Sequence, residues 1–193
     1  MGQYYVPVVI NKDGRKKFDS WDYGSGLKLM EHSWLGNRFV NAVYTAIKDN
    51  SSLVGWIGDY SNDVGCDKDL YKYAWSNELG DTSSNSARIK PENLFYNEEE
   101  KKVYGEGFLI NHSLYQYIDM KEYVEQSEDK GWIINPLPLL TAIGNGQGGG
   151  DYRGENMKLV GSWFMDEIEF SMEPPMFPWY SDVTEQIVFK EGR

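Results

Sequence analysis

One segment of the chain has the periodicity of an amphipathic helix, and it limits what the rest can build. Apolar side chains recur every four residues between residues 33 and 48, which places them on one helical face. They are Leu35, Phe39, Val43 and Ile47. Ser33 is the expected N-cap. A core built on one long helix needs its remaining apolar surface to come from strands and short helices.

Short β-branched and aromatic runs supply those strands. Residues 4–10 form one run, and Asp13-Gly14 after it is typical of a tight hairpin turn. Pro7 has no N–H group, so this strand is expected at a sheet edge or with an irregularity at residue 7. The other predicted strands are residues 53–58, 103–110, 114–118, 159–170 and 186–190.

The order of these elements predicts the fold class. Short helices are expected at residues 70–75 and 119–124, with Asp119 in a capping box for the second. Residues 132–140 contain two prolines and predict an extended, buried connection. Because helical and strand signals mix without βαβ alternation, we predict an α+β fold with a mainly antiparallel sheet.

Length and charge limit the organisation and the partners. A chain of 193 residues buries about 70% of its unfolded surface, enough for one domain over residues 1–193. Residues 80–102 are polar, contain Pro91 and predict an exposed loop. With 19 Lys+Arg against 30 Asp+Glu the net charge is −11, which argues against direct nucleic-acid binding and leaves a basic protein as an expected partner.

Compartment signals point to the cytoplasm. The lone Cys66 cannot form an internal disulfide, which favours a reducing environment. The first residues lack the basic start and apolar stretch of a signal peptide. No run of about 18 apolar residues exists, so no membrane association is expected.

Six glycines within residues 144–154 are the most unusual feature of the sequence. Such density is entropically unfavourable unless the backbone adopts positive φ or approaches another group closely. The run Gly144-x-Gly146-x-x-Gly149 matches a dinucleotide fingerprint in letters, but no helix signal follows it. Two interpretations remain, a flexible structural loop and a nest of N–H groups that binds a small anion. The ligand-binding candidates are Gly146, Gly148, Gly149, Gly150, Asp151, Tyr152 and Arg153.

Scarce histidines and clustered carboxylates give the catalytic candidates. His32 and His112 each precede a serine, and a neutral imidazole there is a candidate general base, although a structural role for either is the alternative. Asp59 is the third catalytic candidate. Asp59 and Asp63 fit only part of an EF-hand loop, so we expect no cofactor, with a divalent cation at these two residues as the alternative.

Three segments together resemble a family of small uncharacterised proteins from bacteria and their phages or mobile elements. The segments are Gly26-Leu27-Lys28-Leu29-Met30-Glu31-His32-Ser33, Trp56-Ile57-Gly58-Asp59-Tyr60, and Pro136 to Leu140 continuing through Gly144 to Gly154. The resemblance covers most of the chain. It implies a phage or mobile-element origin and carries no activity or residue role.

Two functions fit these features. The first is a small-ligand-binding protein, whose enzymatic form is a hydrolase or transferase acting on a nucleotide or other phosphate-bearing molecule. In it the glycine loop and Arg153 bind the anion, and His112 or His32 is the acid/base. Asp59 or Asp151 orients that base or holds a cation. The second is a non-enzymatic acidic protein that inhibits a host defence or nucleic-acid-binding protein by charge mimicry.

Overall fold

The computed structural model describes residues 2–75, 104–127 and 132–190, and the predicted loop at residues 80–102 lies outside them. Eight strands of the described chain form one mostly antiparallel sheet in the order β2-β1-β3-β7-β4-β5-β8, with β6 paired to β3. The strands are β1 (Tyr5–Asn11), β2 (Gly14–Lys17), β3 (Ser52–Gly58), β4 (Phe108–Asn111), β5 (Gln116–Asp119), β6 (Ala142–Ile143), β7 (Glu167–Ser171) and β8 (Ser181–Asp182). Only the β3–β6 and β5–β8 pairs are parallel.

Five α-helices accompany the sheet in the described residues. They are α1 (Leu29–His32), α2 (Arg38–Ile47), α3 (Lys68–Trp75), α4 (Met120–Gln126) and α5 (Pro136–Leu140). Single turns of 3₁₀ helix lie at Ser20–Tyr23, Ser61–Val64, Met157–Leu159 and Thr184–Gln186. The predicted α+β fold with a mainly antiparallel sheet is confirmed. None of the described helices is long and apolar enough to cross a membrane.

Strand alternation divides the apolar side chains between the two faces of the sheet. Val9 of β1 and Trp56 of β3 belong to the larger core, which α2 and α5 cover. Val8 and Ile57, each next in sequence to one of them, belong to a smaller cluster with Leu70 of α3. Strands β1 and β3 are therefore covered on both faces.

The hairpin at the start of the chain forms as expected, but β1 is not an edge strand. β2 pairs with residues 8–11 of β1, and β3 pairs with residues 5–10. Pro7 lies opposite Trp56 in continuous register, where β2 no longer pairs. The missing N–H therefore leaves no gap in the β1–β2 ladder.

The main helix is shorter than predicted and begins at Arg38, because Asn37 rather than Ser33 is its N-cap. The Asn37 side chain accepts hydrogen bonds from the N–H groups of Phe39 and Val40. Ser33 lies at the end of α1, where its hydroxyl donates to the Leu29 carbonyl. Helix α2 spans ten residues and ends at Ile47.

Three other segments differ from the prediction. Pro136–Leu140 is helix α5, since Asn135 caps it and Pro136 occupies the first turn, where no N–H partner is needed. In residues 159–170 only the end enters a strand, because Gly161 adopts a φ of 80° within a series of turns. Residues 186–190 follow a 3₁₀ turn and are not a strand; Lys190 N–H donates to the Tyr152 hydroxyl there.

Candidate functional site

An open cleft of about 580 Å³ lies between the glycine loop and the start of β1. Its apolar wall comes from Leu29, Val64, Ile143, Met157, Val160 and Phe164. Its polar groups are the Tyr5 hydroxyl, the Asp151 carboxylate and the loop backbone at residues 144–146. The cleft thus combines an apolar wall with a few polar residues, of which Asp151 is the only Asp or Glu among the described residues, as small-molecule sites commonly do.

Asp151 is buried and fixed by two donors. Tyr5 Oη donates to one carboxylate oxygen at 2.9 Å, and the Gly148 N–H donates to the other at 2.8 Å. Burial, and after it the charge of Asp151, raises the pKa of Tyr5 far above its ordinary value. Tyr5 therefore stays protonated and remains a donor to Asp151 across the physiological range.

Gln3 lies behind this pair and is fully buried. Its Oε1 is 3.1 Å from Tyr5 Oη, but a hydroxyl has one proton, which the shorter contact with the carboxylate favours. Within the described residues the Gln3 amide nitrogen has no hydrogen-bond partner.

Asp59 stands at the same end of the sheet, directly after β3. Its side chain accepts the Tyr4 N–H at 3.1 Å, and its own N–H donates to the Tyr4 carbonyl. Partial burial raises its pKa, and the charge of Asp151 adds to the increase. Asp63 is exposed on the following turn. In the described part of the chain no three His, Cys, Asp or Glu side chains group where they could hold a metal ion.

Three N–H groups of the glycine loop are used within the chain. The Gly148 N–H points at Asp151, the Gln147 N–H at the Asn145 side chain, and the Asp151 N–H at the Gly148 carbonyl. Arg153 is exposed and does not line the cleft. One loop N–H therefore binds an anion of the chain itself, the Asp151 carboxylate.

The four remaining candidates of the loop lie at or behind the cleft. Gly149 forms a bridge with Gly2, and the Gly150 carbonyl accepts the Met30 N–H. Tyr152 is buried, packs edge-on against Phe189 and touches the cleft. Gly146 lies at the rim with a φ of 67°, the left-handed region that favours glycine.

His32 is part of the core and not of the cleft. It is fully buried, with Nδ1 3.0 Å from the Gly26 carbonyl and Nε2 accepting the Trp56 indole N–H at 3.0 Å. These partners require the neutral Nδ1–H tautomer. Burial lowers the pKa of His32 to about 4. With both ring nitrogens occupied, the side chain has no atom free for acid/base catalysis.

His112 lies at the opposite end of the sheet from Asp59. Its backbone N–H donates to Glu167, which pairs with Leu53 near the start of β3, whereas Asp59 follows the end of β3. A seven-residue strand spans about 20 Å. His112 Nδ1 is 2.7 Å from the Tyr180 hydroxyl, and Nε2 is 2.8 Å from Glu169. The predicted catalytic residues therefore do not meet in one pocket.

Sequence reasoning missed four residues that the structure brings to these places. They are Gln3 and Tyr5 at the cleft, and Glu169 and Tyr180 beside His112. Tyr5 and Asp151 are separated by 146 residues, and His112 and Tyr180 by 68. Only the order and register of the strands bring such residues together, so no local spacing signals them.

Comparison with known proteins adds no relative to this picture. No protein-family model matches the chain, and no curated protein and no solved structure matches it. What the cleft binds has to be argued from its chemistry alone.

Proposed function

We propose that this protein binds a small molecule in the cleft, and that the ligand is neutral or cationic with an apolar body. The observation that carries the proposal is the buried Asp151 carboxylate facing an open, largely apolar space. Its two protein donors leave lone pairs unused, because an ionised carboxylate accepts about four hydrogen bonds. A ligand N–H or O–H would complete them.

Charge argues against the phosphate-bearing ligand that the sequence suggests. Asp151 lies at the cleft, and Asp59 is near enough for the two carboxylates to influence each other. A phosphate there would meet like charge in a partly desolvated place, with no described cation lining the cleft to offset it. An amine on an aromatic or aliphatic body would be attracted by the two carboxylates. An alcohol on such a body would donate a hydrogen bond without bringing a like charge.

Binding, rather than hydrolysis or group transfer, is the function that this arrangement supports. Tyr5 and Asp151 are held to each other, and both histidines lie elsewhere. The phage or mobile-element origin and the cytoplasmic location stay predictions from the sequence alone.

A matched ligand series tests the proposal. We expect 1-naphthylmethylamine and 1-naphthalenemethanol to bind more tightly than 1-naphthyl phosphate in ligand-observed NMR titrations, because only the head group differs. Asp151→Asn should weaken the amine by about tenfold or more, since it removes a charge-assisted hydrogen bond.

Two methionine variants distinguish ligand binding in the cleft from nonspecific binding elsewhere on the surface. Met157 lines the cleft and is 58% exposed, so Met157→Trp should fill the cleft without disturbing the core. Met176 is 89% exposed elsewhere, and Met176→Trp is the control. Equal binding by the two variants, or tightest binding by the phosphate, would contradict the proposal.

A further inference from the structure

A second surface, far from the cleft, exposes aromatic side chains on one short segment. Residues 172–180 follow β7 and lie over the turn between β4 and β5. Trp179 is 58% exposed, and Phe177 and Tyr115 are about half exposed. With Tyr180 they form what we call the aromatic surface.

The rings of the aromatic surface pack against one another in two pairs. Phe177 and Trp179 stack with centroids 4.4 Å apart and planes 10° apart. Tyr115 meets Tyr180 edge to face at 5.5 Å. The backbone ties the two pairs together, since Tyr180 N–H donates to Phe177 and Ser181 N–H to Tyr115. The two ring pairs are thus held next to each other by the backbone.

His112 connects the aromatic surface to the sheet by two hydrogen bonds. Its ring bridges Tyr180 and Glu169, at 2.7 and 2.8 Å, and Glu169 belongs to β7. The nitrogen facing the Glu169 carboxylate is the natural donor, so the other nitrogen accepts the Tyr180 hydroxyl. A surface ordered in advance loses less conformational entropy when a partner binds.

The surroundings of the aromatic surface are acidic. Residues 159–189 contain six Asp or Glu and neither Lys nor Arg. Glu169 lies 2.8 Å from the His112 ring that contacts Tyr180, and Glu173 and Asp182 are exposed beside the rings in sequence, so carboxylates border the surface. Burial raises the pKa of Tyr180, and the nearby Tyr115, Glu169 and Glu167 add to the increase. Aromatic faces and carboxylates together attract the same group, an organic cation.

We propose that the aromatic surface binds an extended, arginine-rich segment of another protein. Arginine suits it better than lysine, because a guanidinium stacks on aromatic rings while it hydrogen-bonds to carboxylates. A nucleic acid would be repelled by the same carboxylates. A second copy of this chain also carries a charge of −11, which opposes its approach. The inference does not depend on the cleft.

The test uses a fluorescein-labelled peptide with alternating arginine and glycine and measures anisotropy against the full chain. Phe177→Ser combined with Trp179→Ser should weaken binding about three- to tenfold, because two cation–π partners are lost without any change of charge. Trp21 is 73% exposed on the 3₁₀ turn at residues 20–23, and Trp21→Ser is the matched control. It should bind like the wild type.

Charge variants and salt complete the test. Glu173→Gln should weaken binding about twofold, and Glu155→Gln, exposed outside this surface, should not. Binding should fall as salt rises, and Met157→Trp should leave it unchanged. Equal losses in the aromatic and Trp21 variants would show nonspecific contact with any exposed ring and overturn the proposal. So would dimerisation in sedimentation experiments that the aromatic double variant abolishes, since a second copy would then be the occupant.

Discussion

The two histidines show how differently the fold uses one residue type. His32 lies in the core between Phe39 and Trp56, where its ring meets Phe39 edge to face. His112 is partly exposed and connects a tyrosine to a glutamate. In sequence both precede serine and follow a polar residue, so local context could not separate a core position from a surface one.

His32 should make stability depend on pH. Its pKa in the folded protein is about 4, below the ordinary 6.5, so the unfolded chain takes up the proton first. Stability is therefore full above about pH 6.5, falls as the pH decreases towards 4, and levels off below that. The loss attributable to this residue is about 3 kcal/mol. Urea unfolding at a series of pH values measures it.

Substitution isolates this contribution from those of the carboxylates. His32→Gln should be less stable than the wild type at pH 7, and the difference should shrink as the pH falls to 4. His112→Gln is the control. Between pH 7 and pH 4 it should lose as much stability to His32 as the wild type does, because His32 is unchanged. A constant gap between wild type and His32→Gln at all pH values would show that His32 is not held neutral.

At the level of elements, the sequence predicts what local chemistry decides. Asp13-Gly14 predicts the β1–β2 hairpin, and Asp119 caps α4 as expected, accepting the N–H groups of Lys121 and Glu122. The start of α2 was predicted at Ser33 because Leu35 fits the same periodicity as the helix. Asn37, directly before the helix, was the better signal.

What depends on distant contacts could not be predicted. Asn135-Pro136 is a recognisable helix start, but the second proline obscured it, and only burial against the core shows that the turn is stable. The sequence shows that the glycine loop is unusual, but it does not show that Tyr5 is the partner of Asp151 in that loop. The side-chain donor to Asp151 is Tyr5 of β1, and nothing near either residue in sequence specifies the other.

Two glycines of that loop should respond differently to alanine. Gly146 has positive φ but open space around it, so Gly146→Ala should lower the unfolding free energy by about 1 kcal/mol. A Cβ at Gly148 would come within 2.7 Å of the backbone nitrogen of Gln3 and would clash with the Gln3 Cβ. Gly148→Ala should therefore lower it by about 2 kcal/mol or more.

Denaturant titration of both variants measures these two losses of unfolding free energy. The Gly148 variant should also bind ligand more weakly at the cleft, because relieving the clash with Gln3 would shift the Gly148 N–H, one of the two donors to Asp151. Equal destabilisation of the two variants would mean that the loop does not need close approach to Gln3.

Across the whole molecule, charge is separated along the sheet. Residues 12–17, at the β2 edge, hold four basic residues and one acidic residue. The opposite edge is β8, within the stretch of residues 159–189 that has six acidic residues and no basic ones. The net charge of −11 is therefore unevenly distributed, and a basic partner would approach the β8 side.

Salt should stabilise the protein as a whole. Screening weakens repulsion among the excess carboxylates, so raising KCl from about 10 mM to about 200 mM should increase Tm by roughly 2–4 °C. Differential scanning fluorimetry measures the shift. The exposed double variant Glu173→Gln/Glu185→Gln should show a smaller one. An unchanged or lower Tm in the wild type would indicate that the acidic groups do not repel one another appreciably.

The hydrogen bond between Tyr5 and Asp151 also has a consequence for how the chain folds. Because its partners are 146 residues apart, it closes a long loop, which is entropically costly and slow to form. During synthesis the first strand must wait until residue 151 has left the ribosome. The cleft therefore matures late, and a ligand that recognises it would select finished molecules over partly folded ones.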